Sequence, residues 1–592
     1  FTVEVVGVNQ AVTLRLTNLV QQTSNGFIVS GTSNSDDIYV DLGQRTIVIN
    51  DASYSASSAN AFASVIINAG AGIDNITLTG SDAAETASLS TNQVTVTSAG
   101  FSLTATAFTN VTINGSSTDV AHLFDTSGDE QFTATPTSAQ LTGDSFQFTV
   151  NGFGRVTAHA STGNDQANLY DSSQNDTFES GWGYAELRSS EAGFQNRVEG
   201  FDQVFAYSQN GGTDFAFFYD SSGDDRFYTT STYGLMRGPS DNFYNYAEGF
   251  DENFAYSQNG GTDFAYFYDS SGDDRFYATS TYGLMRGPND NFYNYAEGFD
   301  ENFAYSQNGG TDFAYFYDSS GNDRFYSTPT YALMRGPNDN FYNYAEGFSH
   351  NYAFSENGGR DFAYFYDSSG NDRFYATETY GLMRGPNDNF YNYAEGFDGN
   401  YAFSQNGGID YAYFYDSNGD DRFYTTPTYG LMRGTNDNFY NYAEGFDGNY
   451  AFSQNGGADH AYFYDSSGDD RFYATETYGL MRGPDDNFYN YAEGFGHNYA
   501  FAQNGGFDMA YFHDSSGDDR FYATPDYGLM RGPNDNFYNY AEGFDRNYAF
   551  AQNGGFDMAY FYDSSGNDLF YATGTYGLLR NVNTTFYNYA ES

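Results

Sequence analysis

Along most of the chain apolar and polar residues alternate in short runs, and each run stops at a cluster of Gly, Asn, Asp, Ser or Pro. The segments "ENFAYSQ", "DFAYFYD", "RFYATSTY" and "NFYNYAEGF" follow this rule, separated by "NGG", "SSGDD", "RGPND" and "GFD". A two-residue period bounded by turn formers predicts β-strands joined by tight turns. No apolar stripe with a 3.6-residue period persists, so almost no helix is expected.

The pattern also repeats. The Asp that opens "DSSGDD" or its variants stands at Asp220, Asp269, Asp318, Asp367, Asp416, Asp465, Asp514 and Asp563, always 49 residues apart. Asp171 opens "DSSQNDTF" one period earlier, and Asp125 opens "DTSGDEQF" 46 residues before that. A fixed period of this size marks a repeat architecture in which each unit buries its apolar face against its neighbours.

A weaker similarity inside the period suggests how the chain winds. "FAYFYD" at 264–269, "YAEGFD" at 295–300 and "FAYFYD" at 313–318 space their last Asp by 31 and then 18 residues. Two coils per period are therefore expected, the longer one carrying "TYGLMRGPND" as a projecting loop. The predicted class is all-β, a parallel β-solenoid. The alternative is an antiparallel meander or a propeller-like array of four-stranded units, because "NGG" serves a hairpin as well as a solenoid corner.

Residues 1–80 are strand-like too, but rich in Val, Ile and Thr, and are read as an N-terminal cap and assembly region. Residues 81–219 are read as degenerate solenoid repeats, and residues 220–592 as the regular array, ending on an incomplete coil. The chain begins at Phe1 without an initiator Met, which fits a processed mature chain or a fragment.

Composition narrows the partners. Asp and Glu total 77 against 22 basic residues, all of them Arg, for a net charge of −55. Nucleic acid and anionic membrane are excluded as natural partners, and no apolar run is long enough to insert in a bilayer. An aromatic share of 20% argues against the disorder that acidity alone would suggest. Cysteine is absent, so neither disulfides nor thiolate metal sites contribute.

The phrases "NAGAGIDNITLTG", "GSSTDVAHLFDTSGDEQF" and "STGNDQANLYDSSQNDTF" resemble secreted bacterial β-solenoid repeat proteins, adhesin-like and RTX-like in style. The resemblance implies an extracellular, right-handed parallel β-helix on a bacterial surface, with a structural or adhesive role. The contiguous glycine-rich nonapeptides of RTX proteins are missing, and isolated triplets such as Gly321, Asn322 and Asp323 stand in their place.

Repeated positions in a solenoid form columns, and this is the expected purpose of the repetition. Tyr and Phe of "FAYFYD" should stack, Asn of "NDNFYN" should form amide ladders, and Asp should line up as acidic columns. Asp269, Asp273, Asp274, Asp318 and Asp323 are the candidate cation ligands, hard oxygens at close spacing. Calcium is permitted but not demanded, because Arg275 and Arg286 offer local neutralisation.

Covalent glycans have five candidate N-linked sites, Asn75, Asn110, Asn114, Asn175 and Asn583. Catalysis is not expected: the six histidines, His122, His159, His350, His460, His497 and His513, fall at different phases of the repeat and should not converge. The expected function is that of a structural subunit of an extracellular fibril, a homopolymer joined head to tail. Phe1, Val3 and Val5 of the alternating N-terminal strand would complete the open edge near Tyr589 and Ser592 of the next chain. The alternative is a monomeric adhesin or polysaccharide-binding stalk.

Overall fold

In the computed structural model, residues 19–592 are described, and they are β-strand and turn almost throughout, with short 3-10 turns as the helical elements. The chain divides into two compact units. One runs to Phe264 and adds Phe292–Gly298; the other is Ala265–Asn291 with Phe299–Ser592. Both are parallel β-solenoids of the same plan, seen most plainly in one copy of the second unit.

That copy has five strands: β1 (Phe313–Tyr317), β2 (Arg324–Ser327), β3 (Tyr331–Arg335), β4 (Tyr342–Glu346) and β5 (His350–Phe354). β1 and β5 are parallel neighbours in one sheet. β2, β3 and β4 form an antiparallel meander in the opposite sheet. β4 lies parallel to Glu301–Tyr305 of the preceding turn, and β2 lies parallel to Phe362–Tyr366, the next copy's first strand. The meander therefore steps back toward the N-terminus before the chain moves on.

This corrects the two-coil reading. Parallel partners are 37, 38 or 41 residues apart rather than 31 and 18. One copy crosses between the sheets an odd number of times, so successive copies start in opposite sheets: Phe313–Tyr317 in one, Phe362–Tyr366 in the other, Tyr411–Tyr415 back in the first. The "TYGLMRGPND" segment is not a projecting loop. Its Tyr–Arg half is the middle strand of the meander, and only Pro337–Asp339 and its equivalents turn outward.

Alternation sorts the residues by face. Ala314, Phe316, Phe325, Met334, Ala345 and Ala353 point inward and are fully buried. Phe316 and Phe325 meet across the two sheets with ring centroids 5.6 Å apart. Tyr315, Tyr326, Tyr344 and Tyr352 point outward and are half-buried. Phe fills the interior because it has no polar atom to satisfy; Tyr takes the outer face, where its hydroxyl reaches water or a carboxylate.

In the first unit the meander recurs with its first strand at Asp37–Asp41, Thr86–Leu89, Gln131–Ala134, Thr177–Gly181 and Arg226–Thr229. The Val/Ile/Thr-rich stretch thus follows the repeat plan from Asp37 onward. What differs is the filling, with Val29, Ile67, Val96 and Leu103 inside instead of Phe, Ala and Met.

Candidate functional site

Three features recur along the solenoid: carboxylate corners, an interior amide pair and an outer tyrosine column. A fourth, an apolar edge, occurs at the last turn.

The corner after β1 is "DSSGND". Asp318 accepts from the Asn357 backbone N–H at 2.9 Å and from Asn357 Nδ2 at 2.9 Å, tying two successive turns together. Ser319 Oγ donates to Asp323 at 2.9 Å. The Asp323 N–H in turn donates to Asp361 at 2.6 Å, and the Asp361 N–H donates to Asp398 at 2.8 Å. Asp361 therefore accepts the backbone N–H of an Asp one turn earlier and donates its own to an Asp one turn later. Burial pushes Asp323 up to about 6, opposed by the Ser319 hydrogen bonds and aided by the Asp361 and Asp318 charges. Asp274 is held at about 6 for the same reasons, and Asp508 is pushed up to about 7 by burial and by Asp470, Asp465 and Asp545.

The candidate ligands divide accordingly. Asp269 and Asp274 act on one another together with Asp312, and Asp318 and Asp323 together with Asp361. Asp273 stands apart: it is exposed and accepts from the Thr311 N–H at 2.8 Å. The third member of each corner, Asp361 or its equivalents, lies beyond the "NGG" turn of the following half-circuit. Its own 49-residue recurrence, at Asp263, Asp312, Asp361, Asp410 and Asp459, is the signal that would have found it. Carboxylate oxygens come within 4.8 Å of one another at Asp125/Glu130/Asp165, Asp171/Asp176/Asp214, Asp367/Asp372/Asp410 and Asp514/Asp519/Asp557.

The arginines neutralise a different part of the repeat. Arg335 pairs with Asp339 at 2.6 Å, and the same pair closes the "RGPND" turn at Arg286–Asp290, Arg384–Asp388 and Arg531–Asp535.

Inside the core, Asn351 and Asn392 share a hydrogen bond, and Asn392 Nδ2 donates on to the Thr328 carbonyl at 2.9 Å. The expected amide ladder is thus a set of interior pairs, one per copy, joining the two sheets. On the outside, Tyr277, Tyr315 and Tyr352 stack at centroid distances of 4.9 and 5.3 Å. Tyr344 donates its hydroxyl to Glu346 at 3.0 Å.

Four of the histidines meet in two separate pairs, because parallel strands bring residues one turn apart into register. His122 Nδ1 lies 3.2 Å from His159 Nε2, and His159 Nδ1 lies 3.1 Å from Glu199. The His460 and His497 rings lie tilted against one another with centroids 4.7 Å apart.

Among the sequon residues, Asn75 and Asn110 are bonded amide to amide at 2.8 Å, and Asn114 accepts from Asn151 at 2.9 Å. Asn175 and Asn583 are exposed.

Phe1, Val3 and Val5 lie outside the described residues. Tyr589 sits inside the last meander, paired with Tyr548 on one side and Leu578 on the other, and the Ser592 N–H donates to the Thr575 carbonyl at 2.9 Å. Because the meander runs backward, the outermost strands of the second unit are Met558–Phe561 and Asp568–Ala572, each with one pairing partner among the described residues. Phe570 is 58% exposed there, whereas its equivalent Phe521 is 3% exposed under the next turn. Phe556, Leu569 and Tyr571 are exposed beside it. An open cavity of about 660 Å³, lined by Phe521, Met530, Ala549 and Phe561, shows the core at this end.

Comparison with family models and with curated proteins finds no match to the sequence.

Proposed function

We propose that this chain is a structural subunit of an extracellular fibril, and that a second copy adds end-on to the Met558–Phe561 and Asp568–Ala572 edge. The observation that carries this reading is the state of Phe570. In an earlier copy the equivalent strand, Arg471–Ala474, is covered by the parallel strand Met509–His513, and its Phe472 is fully buried. A strand of similar alternation added to the last edge would bury the inward Phe570 and pair the backbone groups of its strand, the energetic logic of β-strand addition. The alternating "FTVEVVGV" at the start of the chain has the character needed for such a donor.

The columns suit a load-bearing role, since each turn contributes the same hydrogen bonds and ring stacks as the last. A high negative charge keeps the lateral faces apart and directs association to the ends. Sedimentation velocity tests the reading: wild type is expected to form concentration-dependent oligomers that Phe570→Asp abolishes. Equal association by both proteins would overturn it.

The outer tyrosine columns support a second reading, a stalk that binds polysaccharide, although their stacking leaves mainly ring edges and hydroxyls for a ligand.

A further inference from the structure

We propose that two corners of the first unit, Asp171/Asp176/Asp214 and Asp125/Glu130/Asp165, are binding sites for a hard divalent cation of the calcium class. Every donor is a carboxylate oxygen, and at each corner the three lie within 4.8 Å of one another. Oxygens that share a calcium ion at 2.3–2.6 Å sit about 3–5 Å apart, so the separation suits that ion. The donor set contains neither sulfur nor imidazole, which disfavours zinc and copper.

The second observation is an unmatched oxygen at each corner. Asp176 is fully buried; its Oδ2 accepts from Ser172, but its Oδ1 has no hydrogen-bond partner. Glu130 is 2% exposed; Thr126 donates to its Oε1, and its Oε2 has no partner. Asp470, the equivalent of Asp176 in the second unit, keeps its own Oδ1 unmatched. A buried carboxylate oxygen without a donor is destabilising, and such atoms are uncommon in folded proteins. Here each stands beside further carboxylates: the charged groups that act most on Asp176 are Asp214 and Asp171. A cation would satisfy the unmatched oxygen and the repulsion together.

Calcium is favoured over magnesium by the setting. The corners are loops whose carboxylates already hold backbone N–H groups, as when Asp214 accepts from the Asp176 N–H at 2.7 Å. Calcium tolerates irregular geometry and additional carbonyl or water ligands, whereas magnesium requires near-octahedral donors at about 2.0–2.1 Å.

The test uses the full chain, stripped with chelator and re-equilibrated with calcium chloride, with bound metal counted by elemental analysis after dialysis. Asp176→Asn and Glu130→Gln are each expected to bind one calcium fewer than wild type, and Asp273→Asn to bind the same number. Terbium gives an independent readout, because Tyr170 and Tyr207, stacked at 5.2 Å next to Asp171, should sensitise its emission. That emission should be lost on adding calcium and reduced in Asp176→Asn. If Asp176→Asn does not fold, Glu130→Gln carries the count. No bound calcium in wild type, or an unchanged count in folded Asp176→Asn or Glu130→Gln, would overturn the proposal.

Discussion

Asn351 and Asn392, 41 residues apart in sequence, share a 2.9 Å hydrogen bond inside the apolar core, Asn351 Nδ2 donating to Asn392 Oδ1. Asn392 passes the connection to the Thr328 carbonyl, in the turn between β2 and β3 of the opposite sheet's meander. A polar pair in such a core fixes which strands stand opposite one another, since a slipped register would leave its donors unmatched. Replacing Asn392 by Leu is expected to destabilise that turn by roughly 1–3 kcal/mol for each buried group left without a partner. Native-state hydrogen exchange should show faster exchange around Thr328 and Asn351 than in distant copies, because repeat proteins open locally.

The two glycines of one "NGG" corner should respond unequally. Gly358 has φ +80° with open space where a Cβ would stand, so Gly358→Ala bears mainly the left-handed backbone cost of about 1–2 kcal/mol. Gly359 has φ +124°, and its Cβ would lie 1.9 Å from the Gly321 carbonyl oxygen of the preceding turn. Gly359→Ala must push two turns apart. Thermal unfolding should rank the variants wild type, Gly358→Ala, Gly359→Ala in falling stability, and equal effects would contradict the corner geometry.

Acid should stabilise the protein in the absence of added cations. Asp274, Asp323, Asp372 and Asp421 are raised by burial to about 6, and Asp508 to about 7, against an unfolded value near 3.9. Between those values the folded state holds more protons than the unfolded one. The stabilisation is therefore complete below about pH 4 and is lost as pH rises through about 6–7. Melting temperature in chelator is expected to be higher at pH 5 than at pH 7.5. The trend should persist in high salt, which screens the exposed charges far more than the buried ones.

The fold was legible where a local pattern carried it. Alternation in "FAYFY" and "RFYA" gave strands and even the sorting of Phe and Tyr to opposite faces, and the recurring Asp gave the repeat. The winding was not legible, because nothing local to Phe313 or Phe362 marks which sheet each occupies; that depends on the odd number of crossings between them. "TYGLMR" was misread because its Gly and its neighbouring "GPND" resemble a loop, while in the copy at 379–384 its inward Met383 and outward Leu382 still obey the strand period. At the corners, Asp318 and Asp323 were found as sequence neighbours. Asp361 was missed because it arrives from 38 residues along the chain, through pairing that a single sequence does not display.

The Arg384–Asp388 pair should matter little. It closes at 2.6 Å but both side chains are substantially solvated, so Arg384→Ala is expected to cost no more than about 1 kcal/mol. A larger loss in denaturant unfolding would mean that the "RGPND" turn, not the core, anchors the meander.

End-on growth is the central claim, and electron microscopy of the purified chain across a concentration series tests it most directly. The account predicts filaments whose strands are spaced ~4.8 Å along the growth axis, with Phe570 buried at each junction and growth blocked in Phe570→Asp. Particles that remain single chains at every concentration, or filaments joined through their lateral tyrosine faces, would contradict it.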